Sequence, residues 1–312
     1  MIDVKETTYG NWGKCIRISN GETELFATVD IGPRIIRYGK IGGANVMFED
    51  INDEINKEEC SDAFADAFGA EKGVWHIRGG HRLWVGPEYL PRTYYPDNEP
   101  VDYKITENGV ILTPPLQVWN NLQYEIEISM SADGTVKLNH KITNKAPFAS
   151  EFAPWALSVL AKGGHEVFPQ PTKDTGFLGN RLLALWPYTK LTDKRVYWGD
   201  RYITLKQDPD ATEPFKVGIN SEHCWAAYFL EGDMFVKYFE GDPEGTYSDG
   251  GMNFETYTSN AFLEMESLGE LKTVQPGETV CHKETWKYFK DIPDPGTNED
   301  EIQKIADMLI MK

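Results

Sequence analysis

Apolar residues along this chain recur mainly with the two-residue period of strands, in short runs cut by turn dipeptides. Lys14–Ser19 ends at Asn20-Gly21, and Glu24–Asp30 ends near Gly32-Pro33. Val101–Thr106 and Val110–Thr113 flank Asn108-Gly109, while Tyr124–Met130 and Thr135–Thr143 flank Asp133-Gly134, a hairpin signal. A further hairpin is expected from Cys224–Leu230 and Met234–Glu240 across Glu231-Gly232-Asp233. Strands at this spacing, with no helices between them, predict an all-β sandwich or barrel instead of a parallel α/β sheet.

Only two stretches read as helical. Asp53–Phe68 is acidic with interspersed Ile, Ala and Phe, and suits short helices or a loop lying over the sheet. After Asp294-Pro295-Gly296, Thr297 or Asn298 can cap a C-terminal helix over 297–312, with Ile302, Ile305 and Leu309 on one face. No Ser/Gly-rich linker or internal repeat divides the chain, so one domain over 1–312 is expected, with a split near residue 150 as the alternative.

Composition narrows the function classes. The formal net charge of −18 repels nucleic acid and anionic membranes, which favours a neutral ligand. No apolar run is long enough to span a bilayer, and MIDVKETTYG has neither the basic nor the apolar region of a signal peptide, so the cytoplasm is the expected location. The four cysteines (Cys15, Cys60, Cys224 and Cys281) are scattered and are expected to be free thiols. Phosphate-loop, dinucleotide and GxSxG motifs are missing, and no histidine pair has metal-ligand spacing, so neither cofactor nor metal is expected.

Candidate chemistry concentrates in two places. From His76 to Glu88 the chain carries His76, Arg78, His81, Arg82, Trp84 and Glu88 around a Gly79-Gly80 hinge. Histidine can move a proton near neutral pH, arginine offers a fork of donors, and Trp84 offers a flat apolar face for a sugar ring. Tyr95, Asp97 and Asn98 follow, in a context suited equally to hydroxyl recognition and to an ordinary turn. If Phe262–Leu268 is a strand, Glu264 and Glu266 share one face, and their mutual repulsion would raise the pKa of one of them. A solvated acidic strand face is the simpler reading of that pair. His165 follows a strand and could reach a pocket, whereas His140, His223 and His282 read as ordinary strand or turn histidines.

The order of several motifs resembles the galactose mutarotase-like superfamily, which includes aldose 1-epimerases, and is most similar to a bacterial family of uncharacterised members within it. The likeness is carried by Gly79-Gly80-His81-Arg82-Leu83-Trp84 with Pro87-Glu88, by Tyr95-Pro96-Asp97-Asn98, by Ala153-Pro154-Trp155-Ala156-Leu157 and by Asn253-Phe254-Glu255. It continues through Phe262–Gly269, Gln275-Pro276-Gly277-Glu278 and Glu284-Thr285-Trp286, covering about residues 10 to 290. The resemblance implies a galactose mutarotase-like β-sandwich and a sugar ligand. It also implies Glu266 as catalytic base with Glu264 second, His81 as the histidine partner with His76 as runner-up, and Arg82 or Arg78 holding substrate. Trp155, His165 and Glu255 complete the expected sugar-contacting set. Where epimerases of this type carry a second histidine, the segment Phe152–Leu157 has Trp155 instead, so His81 or His165 would have to donate the proton. Three functions fit: anomer interconversion, sugar binding without catalysis, and glycoside hydrolysis or elimination.

Overall fold

In a computed structural model, described here for residues 1–69 and 73–311, two large antiparallel sheets carry most of the chain. The first runs, edge to edge, through Asp3–Thr8, Lys14–Ser19, Thr23–Thr28, Ile35–Lys40, Gly80–Gly86, Ser150–Leu160, Leu263–Leu268, Phe254–Thr258, Phe215–Ile219 and Leu183–Leu185. Lys272–Val274 pairs alongside Ser150–Leu160. The second runs through Val196–Trp198, Tyr202–Lys206, His165–Pro169, Trp225–Leu230, Asp233–Phe239, Thr279–Phe289, Val136–Asn144, Leu122–Met130, Gly109–Thr113 and Asp102–Ile105. Between them lies one apolar cluster drawn from Ile16 through Trp286. The all-β expectation holds.

The expected hairpins form as the turn chemistry requires. Leu122–Met130 pairs with Val136–Asn144, and Trp225–Leu230 with Asp233–Phe239. Glu231 and Gly232 both take positive φ, +50° and +86°, the two-residue turn whose twist matches the strands. Burial alternates strictly along Leu122–Met130, as expected of a strand with one face on the core. Gly80–Gly86 and Leu263–Leu268 are instead buried at every position, because the outer face of the first sheet is also covered. An aromatic cluster including Phe64, Trp75, Trp84, Tyr94, Trp155 and Phe262 lies there.

The acidic stretch 53–68 forms part of that cover. It yields the short strand Asn56–Lys57, paired with Trp75–His76, and the helix Ser61–Phe68, which buries Phe64. The Gly79-Gly80 pair is a tight spot where a hinge was expected. A Cβ would sit 2.1 Å from the Phe48 carbonyl oxygen at Gly79 and 2.4 Å from that of Ile35 at Gly80.

At the C-terminus Asn298, not Thr297, caps the helix, its side chain accepting from the Asp300 and Glu301 amides. The helix Glu299–Ile305 continues into one π turn, Ala306–Ile310. That wider turn makes Ile302, Ala306 and Ile310 the buried stripe, with Ile305 and Leu309 flanking it. It packs on the outer face of the second sheet, against Val167, Tyr202 and Trp225. Among the described residues no helix is long and apolar enough to cross a membrane.

Candidate functional site

Strand register decides which side chains meet. In antiparallel pairs, residues opposite one another project to the same face. Leu157 stands opposite Arg82 on one side and Glu266 on the other, and Glu266 stands opposite Glu255. A neighbouring row holds Glu264, Tyr257 and Lys216, and another holds Trp84 and Trp155. All lie on the outer face of the first sheet, where all but Glu255, which stands behind Lys216 and Glu266 and was expected to touch the sugar, line a cleft of about 480 Å³. Trp75, Tyr94, Trp186, Tyr188 and Phe262 add aromatic walls, and Lys57 and Glu88 are at its border. The expected pairing of Glu264 and Glu266 on one face is what the strand forms.

Each carboxylate of this pair has its own cation. Arg82 Nη2 donates to Glu264 Oε1 at 3.0 Å, with its guanidinium stacked 4.0 Å from the centre of the Trp84 ring. Lys216 Nζ lies 2.9 Å from Glu266 Oε2 and 2.7 Å from Glu255 Oε2, with the Trp155 and Trp186 rings on either flank. Trp155 Nε1 also donates to Glu266 Oε2, whereas Glu266 Oε1 has no hydrogen-bond partner among the described residues. Burial pushes the Glu266 carboxyl up to about 8, reinforced by Glu264 and Glu255 and opposed by Lys216. Burial likewise carries Glu255 up to about 7. Lys216 is held well above its ordinary value, since the two carboxylates outweigh its burial. The group therefore holds a proton that is exchangeable near neutral pH.

His81 is the main correction. It stands opposite Ser158, which stands opposite Met265, so it projects into the space between the sheets, away from Glu266. It is fully buried there, Nδ1 2.9 Å from Ser158 Oγ and Nε2 2.7 Å from His140 Nε2. His140 Nδ1 must donate to the His282 carbonyl, 3.0 Å away, so in its neutral form its Nε2 accepts from His81 Nε2–H. The Ser158 hydroxyl then donates to His81 Nδ1. Nearby, Glu284 accepts from Ser267 Oγ and Trp286 Nε1 and pairs with Lys237 at 2.9 Å. Donor atoms of His81, His140 and Glu284 lie within 4.8 Å of one another, a grouping that could in principle hold an ion. The hydrogen bonds already account for each of those atoms without one. Burial depresses all three histidines, His282 to about 3. This network was invisible in the sequence because its members come from six strands spread from residue 81 to residue 286.

Other expected contacts are also redistributed. His76, between the cleft residues Trp75 and Ile77, instead lies 2.8 Å from Asp53 Oδ1 through its Nδ1. Arg78 donates to Asn98, whose amide in turn donates to the Val74 carbonyl. Tyr95 packs on Phe64 and Phe68, and with Asp97 borders a separate cavity of about 40 Å³, where Asp97 pairs with Arg34. His165 lies on the second sheet, its Nδ1 2.8 Å from Asp294, so it cannot replace a cleft histidine. Glu88 does reach the cleft, where it accepts from the Tyr94 hydroxyl. Sequence reasoning missed Lys216, Trp186 and Tyr188. The signal available was a lysine in the otherwise apolar run Phe215–Ile219, a pattern that only a buried partner explains.

No protein-family model matches the sequence, and no curated protein does. Solved structures do match. A TPR-domain containing protein from Parabacteroides distasonis aligns with a TM-score of 0.59 at 14% identity over 90% of this chain, which spans 48% of that protein's length. A galactose mutarotase-like protein from Lactobacillus casei aligns at 0.55 and 11% identity, over 88% of this chain and 99% of the other. Another from Clostridium acetobutylicum aligns at 0.52 and 10%, over 93% and 99%. Together with the sheet order, these matches show that the chain has the galactose mutarotase-like fold.

Proposed function

We propose that this protein binds a sugar in the aromatic cleft of the first sheet and interconverts its anomers, with Glu266 as the group that moves the proton. The observation that carries the reading is Glu266 itself: a fully buried carboxyl lining the cleft, with one unpartnered oxygen and a pKa of about 8. In its ionised form, which is populated in part near neutral pH and more fully above pH 8, such a group can take the proton of an anomeric hydroxyl and return it on ring closure. The tryptophans offer apolar faces for the C–H side of a pyranose, and Glu264, Glu88 and Arg82 offer partners for its hydroxyls. No histidine lines the cleft among its described residues, so the ring oxygen would be protonated from Tyr188, Tyr257 or water.

That missing histidine favours a second reading, sugar binding without turnover. Saturation-transfer NMR on glucose and galactose separates the two by reading binding and anomer exchange in one sample. Acceleration that disappears in Glu266→Gln supports catalysis. Binding with no acceleration in the parent protein leaves only the second reading, and undiminished acceleration in the variant removes Glu266 from the role.

A further inference from the structure

Resting on the sugar-binding reading above, we infer that the ligand of this cleft is an acidic sugar, a hexuronate whose carboxylate is received by Arg82. Arg82 is 2% exposed and lines the cleft, yet only its Nη2 has a hydrogen-bond partner. Its Nε and Nη1 are buried without any. A buried guanidinium with unmet donors is costly unless a ligand supplies acceptors, and a carboxylate is the acceptor it binds most strongly. Stacking on Trp84 fixes the plane of the guanidinium, so the donors are oriented before the ligand arrives.

The charge around the cleft points the same way. Its lining sets Lys57, Arg82 and Lys216 against Glu88, Glu264 and Glu266. A proton resident on Glu266 near neutral pH tips that balance to the positive side, which Glu255, 2.7 Å from Lys216, offsets only in part. Two other clefts of the molecule are each lined by three acidic side chains against one lysine, as a chain of net charge −18 would suggest. So small a positive balance suits a monoanion better than a phosphate ester, and 480 Å³ has room for one or two pyranose rings.

Isothermal titration of the whole protein at pH 7 tests this with galacturonate and glucuronate, their neutral counterparts galactose and glucose, and glucose 6-phosphate. The expected result is a dissociation constant about tenfold lower for a uronate than for its neutral counterpart. In Arg82→Gln that ratio should fall to within about twofold, whatever the absolute affinities. If that variant does not fold, Arg82→Lys reads the same ratio, and most of the preference should go with the planar fork. Equal affinity for charged and neutral sugars would overturn the uronate assignment and leave the sugar reading standing. So would tighter binding of the phosphate ester, or a preference that survives both substitutions. If no sugar in the set binds, both the assignment and the sugar reading fail.

Discussion

Lys216 places one ammonium between two buried carboxylates, 2.7 Å from Glu255 and 2.9 Å from Glu266. At pH 8 Glu255 is largely ionised and Glu266 partly so, and removing that cation would leave this buried negative charge without a partner. Lys216→Met should therefore cost about 3–5 kcal/mol of stability at pH 8. At pH 5, where both carboxyls take up protons, the loss should shrink. Urea denaturation at the two pH values checks this, and an equal loss at both would show that the charges are not the cause.

Linkage gives a related pH dependence. Glu266 and Glu255 have pKa values of about 8 and 7 in the folded chain, against an ordinary 4.5. Between pH 4.5 and 8 the folded state thus binds more protons than the unfolded one, and stability falls as pH rises through that window. Glu266→Gln cannot ionise and should flatten the slope. Its melting temperature relative to the parent should be higher at pH 8.5 than at pH 5, and a difference independent of pH would refute the raised value.

His81 is separated from the cleft by the thickness of a sheet. Replacing it with Gln breaks the hydrogen bond to His140 or Ser158 inside the core, at a cost of about 1–3 kcal/mol. Sugar affinity, measured well below the melting temperature, should stay within about twofold. A large loss of affinity in a folded variant would mean that the interior network reaches the cleft.

Tyr188 stands at the cleft border, 37% exposed, and its ring lies edge-on to Tyr257. Tyr188→Ala should weaken sugar binding about fivefold through lost ring contact, with little change in melting temperature. Unchanged affinity would place the sugar deeper, toward Trp84 and Trp155.

The fold was largely legible because its signals are local. Period-two runs and turns such as Asp133-Gly134 and Glu231-Gly232 depend on nearby residues alone. Glu264 and Glu266 could be placed on one face by counting along a single strand. What could not be read was which face of Gly80–Gly86 joins them, since both faces of that strand are buried and alternation disappears. His81 and Arg82 looked equally suited to a site, and only the pairing with Ser150–Leu160 separates them. Lys216 and Trp186 were missed for the same reason: their partners lie some fifty and thirty residues away in sequence, at Glu266 and Lys216.

Register also divides the labour of single strands. Along Leu263–Leu268, positions 264 and 266 serve the cleft, while Ser267 belongs to the interior with the Lys237–Glu284 pair, and Lys237 donates to the Met265 carbonyl. The backbone acts as a partition wall between two rooms. Furnishings on the solvent side, such as Arg82, Glu264 and Glu266, can be exchanged as a set while the timbers behind them stay in place. New ligand specificity can thus be built into this barrier without redesigning the protein that supports it.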